Sequence, residues 1–331
     1  MASYPVTVFR WDDPGAPQIG NGRASDIINI WQKCLVDGYG DKDPLGWTRP
    51  FYDAPTQRAI FRNSVAAGGS GGYVQLQAAS GIDADYQDMR MTPAKSFADG
   101  NIIQPGFFHT FRVQNLSGNN RLNKWMVIGT GSSFYFLIIP NNVPIFAGNW
   151  CPSMFVGDIF SRIPNDAGRF IVYANTTGNG NQSSTSFQST LGIFANSESY
   201  LGSYGLNLRL YDSDNSNSWQ DYRAVRTGPT TGTFVVASLS TLTQLFHPVA
   251  LTTSSTYIGI QMSSDSEIAL ATKPAFRGYL PGLFTSLFPY PNNTPWPFVV
   301  DDTNFTYWIL HAPSGAVSTF IQSDTWYDPF N

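Results

Sequence analysis

The residues able to do chemistry in this chain are few and widely spaced. Gly68-Gly69-Ser70-Gly71-Gly72 satisfies the pattern G-x-S-x-G, in which a serine on a strained strand-to-helix turn becomes an exposed nucleophile. That geometry needs a helix after the serine. A strand-like run, Tyr73 to Gln77, follows instead, so the small residues between Phe61 and Tyr73 read as a flexible hairpin connection. His109, His247 and His311 stand apart, outside any H-E-x-x-H frame, and read as ordinary sheet residues, not zinc ligands.

The carboxylates are clustered but poorly arranged for catalysis. Asp83, Asp85 and Asp88 form one group, and Asp212 and Asp214 another. Oxygen-rich loops can hold calcium, yet neither has the Gly at the sixth position and Glu at the twelfth that an EF-hand loop uses, so both read as solvated loop carboxylates. The neighbours Asp12-Asp13 and Asp301-Asp302 project to opposite sides of an extended chain, whereas glycoside hydrolysis needs two carboxyls facing one bond. They read as turn or cap residues. Nine Trp and sixteen Tyr could stack on sugar rings, but packing in a core or a subunit contact is the favoured reading. The expectation is a non-enzyme with no catalytic, cofactor-binding or metal-binding residue.

The elements that position these residues are mainly β. Tyr4 to Arg10 alternates as a strand, and Asp12-Asp13-Pro14-Gly15 supplies a turn. An amphipathic helix over about 25–37 follows, with Ser25 as N-cap, Asp26 at the positive end of the dipole, and Ile27, Ile28, Trp31, Cys34 and Leu35 on one face before Gly38. Strand patterns recur at Arg58 to Phe61, Tyr73 to Gln77, Phe107 to Val113, Trp125 to Ile128, Phe134 to Ile139, Arg169 to Tyr173, Leu206 to Tyr211 and Thr233 to Val236. Polar tracts from Asn175 to Ser186 and Asp212 to Ser218 read as long loops. Pro281 to Pro297 reads as extended irregular chain lying across a surface, and Phe305 to His311 with Ala316 to Gln322 reads as a closing hairpin. The expected fold is therefore mainly β, with antiparallel, β-sandwich-like sheets, one N-terminal helix and long polar loops. It forms a single unit over 1–331 or two lobes, about 1–120 and 121–331.

Composition narrows the function classes. Charged residues are 13% of the chain, roughly half the share of an average soluble domain, and a neutral polar, aromatic-rich surface suits a protein packed against other subunits. With a net charge of -4 and no Lys/Arg run, the footprint of a nucleic-acid binder is missing. No stretch has the apolar length of a membrane span, and the N-terminal residues do not pattern as a secretion signal. Cys34 and Cys151 are the two cysteines and read as buried free thiols.

Further segments stand in order along nearly the whole chain: Val6-Thr7-Val8-Phe9-Arg10 with Asp12 to Pro17; Cys34 to Gly40 running on to Gly46-Trp47-Thr48 and Phe51; Ala59-Ile60-Phe61-Arg62; Trp125 to Gly129 with Phe134-Tyr135-Phe136; Gly157-Asp158-Ile159 and Asp166-Ala167; and Arg277 to Leu283 with Ser323-Asp324-Thr325-Trp326. Together they resemble a family of tailed-bacteriophage virion structural, tail-associated proteins. The Pro-rich stretch after Leu283 and the Gly/Asn/Ser loops exceed that pattern. The resemblance implies a virion component made in the bacterial host cytoplasm, tail or baseplate-associated, whose partners are other virion proteins and copies of itself. Head decoration and a receptor- or glycan-binding role at a fibre tip, with host surface glycan as partner, are the alternatives; a depolymerase ranks below them. It carries no catalytic residue over. Assembly contacts are expected at Phe284, Phe288, Tyr290 and Trp296, which supply apolar area, and at Arg277, which could bind carbonyls or a carboxylate of a neighbour.

Overall fold

The computed structural model describes residues 2–113, 122–140, 146–147, 152–173, 207–226, 246–253, 274, 276–286, 298–299, 305–311 and 318–331. The chain is mainly β, with antiparallel sheets and one short helix early in the sequence. The expected strands at Thr233 to Val236, the tract Asn175 to Ser186, Asp301-Asp302 and Cys151 lie outside the described residues.

The expected N-terminal strand is divided at Val6. Ala2–Pro5 pairs with Thr325–Asp328 in a two-stranded ribbon, while Thr7–Arg10 joins a five-stranded sheet. That sheet runs Phe170–Tyr173, Ser153–Asp158, Ser133–Pro140, Leu122–Gly129, Thr7–Arg10, all neighbours antiparallel. Both faces of its middle strands are buried, from Phe134 to Ile139 and from Met154 to Val156. Burial on both sides explains why these strands read as continuous apolar runs and not as alternating ones.

The helix Ala24–Trp31 fills the space between this sheet and a six-stranded one. Trp31 is fully buried, its ring 5.7 Å from Phe61 in the six-stranded sheet and 5.1 Å from Phe134 in the five-stranded sheet. The helix start differs from expectation: Arg23, not Ser25, occupies the cap position. Asp26 reaches back to accept the N–H groups of Gly20, Asn21 and Arg23, and the Ser25 N–H donates to Asp83. A carboxylate accepting several orphan amides at once competes well with a serine hydroxyl. After Trp31 the coil widens into a π-helical stretch, Gln32–Asp37, closed where the Gly38 N–H reaches Lys33. The carbonyls of Cys34 and Leu35 accept from Leu45 and Trp47, so the returning chain satisfies the helix end.

The six-stranded sheet orders Thr48–Asp53, Arg58–Arg62, Tyr73–Ala78 and Asp88–Ala98, with Asn101–Pro105 and His109–Arg112 both pairing along Asp88–Ala98. Its side chains alternate between two faces, although Ile60 and Gln75 on the second face are buried as well. Ala59, Phe61, Val74, Leu76, Met89 and Met91 join the apolar core, whereas Arg58, Arg62, Tyr73, Gln75, Gln77 and Arg90 take the opposite face.

A nine-stranded sheet contains the remaining strands, with Phe276–Ser286 lying between Phe246–Thr253 and Ser318–Gln322. This corrects the expected surface course of the Pro-rich segment, whose beginning is sheet interior. Pro281 is tolerated because pairing to Phe246–Thr253 slips across it: Ala250 faces Tyr279 and Pro248 faces Phe284, leaving the intervening residues bulged. Gly282, at φ +64°, completes the bulge, and a Cβ there would lie 2.0 Å from the Trp326 indole nitrogen. On its other edge the strand changes partner at the same place, from Phe160–Ser161 to Ser318–Gln322.

Candidate functional site

Of the expected assembly residues, Phe288, Tyr290 and Trp296 lie outside the described residues. Phe284 is half-buried between Pro248 and Phe320, with its ring 6.3 Å from Tyr307. Arg277 is fully buried and its head is engaged inside the chain, not offered to a neighbour. Nε donates to Asp166 Oδ2 at 2.7 Å, and one terminal nitrogen donates to Asp166 Oδ1 at 2.6 Å and to the Tyr211 carbonyl at 2.8 Å. Ser161 Oγ and the Gly168 N–H also donate to Asp166. Burial alone would lower the guanidinium's proton affinity, but the paired Asp166 outweighs it and holds the pKa above its ordinary value. Sequence reading missed this pair because its members lie 111 positions apart.

Ser70 of the G-x-S-x-G run has a second carboxylate beneath it. Its backbone N–H donates to Asp158 Oδ2 and its hydroxyl to Asp158 Oδ1, each at 2.6 Å, while Arg169 Nε donates to Oδ2 at 3.1 Å. Burial pushes the Asp158 carboxyl up, more than Arg169 and the Ser70 bonds pull it down. The connection is not slack, contrary to the sequence expectation. Asn63 accepts from Gly71 and donates to the Ser132 carbonyl, and a Cβ at Gly72 would sit 2.3 Å from Phe170. Both Asp158 oxygens hold the loop in place, and no imidazole bonds to Ser70 among the described contacts. The arrangement anchors a loop to a sheet end. It does not present the strand–serine–helix geometry of an activated nucleophile.

The other carboxylates are divided among separate structural duties. Asp83 accepts from Ser25, Asp85 pairs with Arg23 at 2.5 Å, and Asp88 pairs with Arg112 at 2.8 Å. Asp214 accepts the Ser216 N–H in its own loop. Asp13 receives Lys42 Nζ at 2.6 Å, the Tyr39 hydroxyl at 2.8 Å and the Arg10 N–H at 2.7 Å. Among the described residues no three His, Cys, Asp or Glu come together as a metal-binding group. A shallow cleft is lined by Ser70, Lys95, Gln104, Phe170 and Tyr211; Lys95 packs its ammonium 5.2 Å from the Tyr211 ring and contacts the Ser216 carbonyl.

No protein-family model matches the chain, and no curated protein matches it.

Several of the segments that resemble phage virion proteins meet in space. Pro14 and Gly40 touch: a Cβ on Gly40 would meet the Pro14 carbonyl at 2.5 Å. Tyr39 packs on Phe9 and Trp125. Gly157 passes Ser133 too closely for a side chain. Tyr135 donates its hydroxyl to the Pro281 carbonyl, and its ring meets Trp326 edge-on at 5.6 Å. Trp326 in turn donates to the Gln322 carbonyl and covers Gly282. Tyr135 and Trp326 fasten the five-stranded sheet to the nine-stranded one, while the Pro14–Gly40, Tyr39 and Gly157 contacts pack loops and neighbouring strands around the five-stranded sheet.

Proposed function

We propose that the chain is a structural protein of a tailed-phage virion, tail or baseplate-associated, that acts through assembly and not through catalysis. The observation that supports this reading is the use made of the motif residues. Asp13, Asp158, Asp166, Arg277, Tyr135 and Trp326 all link segments distant in sequence, so the residues that carry the resemblance are spent on holding the fold together, which suits a particle component. Its partners are other virion proteins and further copies of itself. Since Pro281 to Ser286 is strand, the assembly contacts belong to the stretch after it, residues 287–297.

Two measurements test the reading. Antibodies against the recombinant chain should label purified particles at the tail end; labelling of the head would move it to decoration, and particles without the chain would overturn a virion role. Deleting Phe288 to Trp296 should leave a folded protein that no longer enters particles. Normal incorporation of the deletion protein would remove the assembly segment from the proposal.

A further inference from the structure

The face of the six-stranded sheet opposite the apolar core gathers four arginines in a chain of net charge -4. Across the register, Arg58 faces Gln77, Gln77 faces Arg90 and Arg90 faces Thr110, while Arg62 faces Tyr73 two repeats of the pleat away. Arg58, Arg62, Arg90 and Arg112 share this face with the described acids Asp53 and Asp88. Asp88 pairs with Arg112. Arg58 and Arg90 enter no ion pair among the described residues.

Three of these guanidiniums lie on rings: Arg58 is 4.7 Å from the centre of Phe51, Arg62 is 5.4 Å from Tyr73, and Arg90 is 4.2 Å from Phe108. A ring under the flat face fixes the guanidinium plane; Arg62 Nε donates to the Gly71 carbonyl at 3.2 Å and Arg90 Nε is buried, so the terminal nitrogens are the donors for end-on bidentate recognition of carboxylate or phosphate. From strand spacing and rise, Arg58 and Arg90 stand about 10 Å apart, and Arg58 and Arg62 about 13 Å. Gln77, whose Oε1 accepts from the buried Gln75 at 2.8 Å, lies between Arg58 and Arg90 and has an amide nitrogen suited to hydroxyls.

We infer that this face binds an anionic polysaccharide, a chain of sugars bearing carboxylate or phosphate groups. The polarity of the face favours sugar over protein, because a protein contact wants an apolar centre and the central apolar residue here, Ile60, is fully covered. Stacked guanidiniums occupy ring faces that single-stranded nucleic acid would use for its bases, and the chain's net charge is -4. The inference does not depend on the chain's place in a particle, so it stands or falls separately from the virion reading.

The test is binding of the full recombinant chain to polygalacturonate and to phosphomannan, with dextran and single-stranded DNA alongside. Binding to either anionic polysaccharide, weakening as salt rises, is expected, and which one binds identifies the anion. Arg58→Gln with Arg90→Gln should weaken it at least tenfold with an unchanged thermal midpoint, while Lys33→Gln, removing a charge on the helix, should not. Should the double Gln variant fail to fold, Arg58→Lys with Arg90→Lys decides: charge is kept, the planar fork is lost, and binding should drop several-fold. Unchanged binding by the folded variants, equal binding to dextran, tighter binding to DNA, or no binding to either polysaccharide overturns the inference.

Discussion

Three buried or half-buried aspartates show how much depends on the company a carboxylate keeps. Asp166 and Arg277, both without solvent exposure, satisfy each other so fully that removing one partner strands a charge. Asp166→Asn should therefore cost about 3–5 kcal/mol, measured as a shift of the denaturant midpoint, whereas replacing both residues with Leu and Met should recover part of it. Asp13 differs in having an acid-dependent role. Burial raises its pKa, but the Lys42 bond, the Arg10 N–H and the Tyr39 hydroxyl together bring it below the ordinary value of 3.8. Because the folded value lies below the unfolded one, its contribution is present above about pH 4 and is lost as pH falls through the folded value. Asp13→Asn should consequently lower stability at pH 7 and flatten the acid limb of the stability curve; an unchanged acid limb would show that the Lys42 contact contributes nothing. Asp158 has the opposite sign, since its folded value is raised: its contribution is largest at acid pH and fades as pH rises through that folded value.

At the scale of elements, the helix matters more than its length suggests. Trp31 meets Phe61, Phe134 and Phe136 edge-on from two different sheets, so Trp31→Ala should destabilise the fold by about 3–5 kcal/mol in a denaturant titration; an unchanged midpoint would mean that the two sheets hold together without it. The helix was legible because Ile27, Ile28, Trp31, Cys34 and Leu35 recur at helical spacing, and all are buried. Strands such as Arg58–Arg62 were legible by alternation, and the same alternation carried a signal that went unread: Arg58, Arg62 and Arg90 fall at positions of one parity, opposite the core residues. The cap was misread because Asp26 acts on amides of a loop whose path no local pattern specifies. The course of Pro281 to Ser286 was misread for a different reason. Proline argues against a central strand, and the slip in register that accommodates it depends on a partner about 30 residues earlier and on Trp326 about 45 residues later. Long-range pairs such as Asp166 with Arg277 leave no mark on local sequence at all.

For the whole molecule, the ends of the described chain act as a fastening. Ala2–Pro5 lies along Thr325–Asp328, the Ala2 N–H reaches the Asn331 carbonyl and the Val6 N–H reaches the Asp324 carbonyl. The two sides of this ribbon do not contribute equally. Ala2–Pro5 is partly exposed along its length, so deleting it removes ladder bonds and the Tyr4 ring on Phe160 but opens little of the core. Thr325–Asp328 carries Trp326, which is buried against Tyr135 of the five-stranded sheet and against the Gly282 bulge of the nine-stranded sheet. Phe330, just beyond, stacks on Tyr279 with centroids 5.5 Å apart. Removing 325–331 therefore opens a cavity where sheets meet, while removing 2–5 frees one ribbon edge. The shorter N-terminal deletion should give soluble protein with a lower thermal midpoint, and hydrogen exchange should quicken at Thr325 to Asp328 while the amides of Ser133–Pro140 stay protected. The C-terminal deletion should leave no cooperative unfolding transition. If both deletions melt cooperatively at similar temperatures, Trp326 is not the residue that locks the sheets, and the resemblance-bearing segment around it has another purpose.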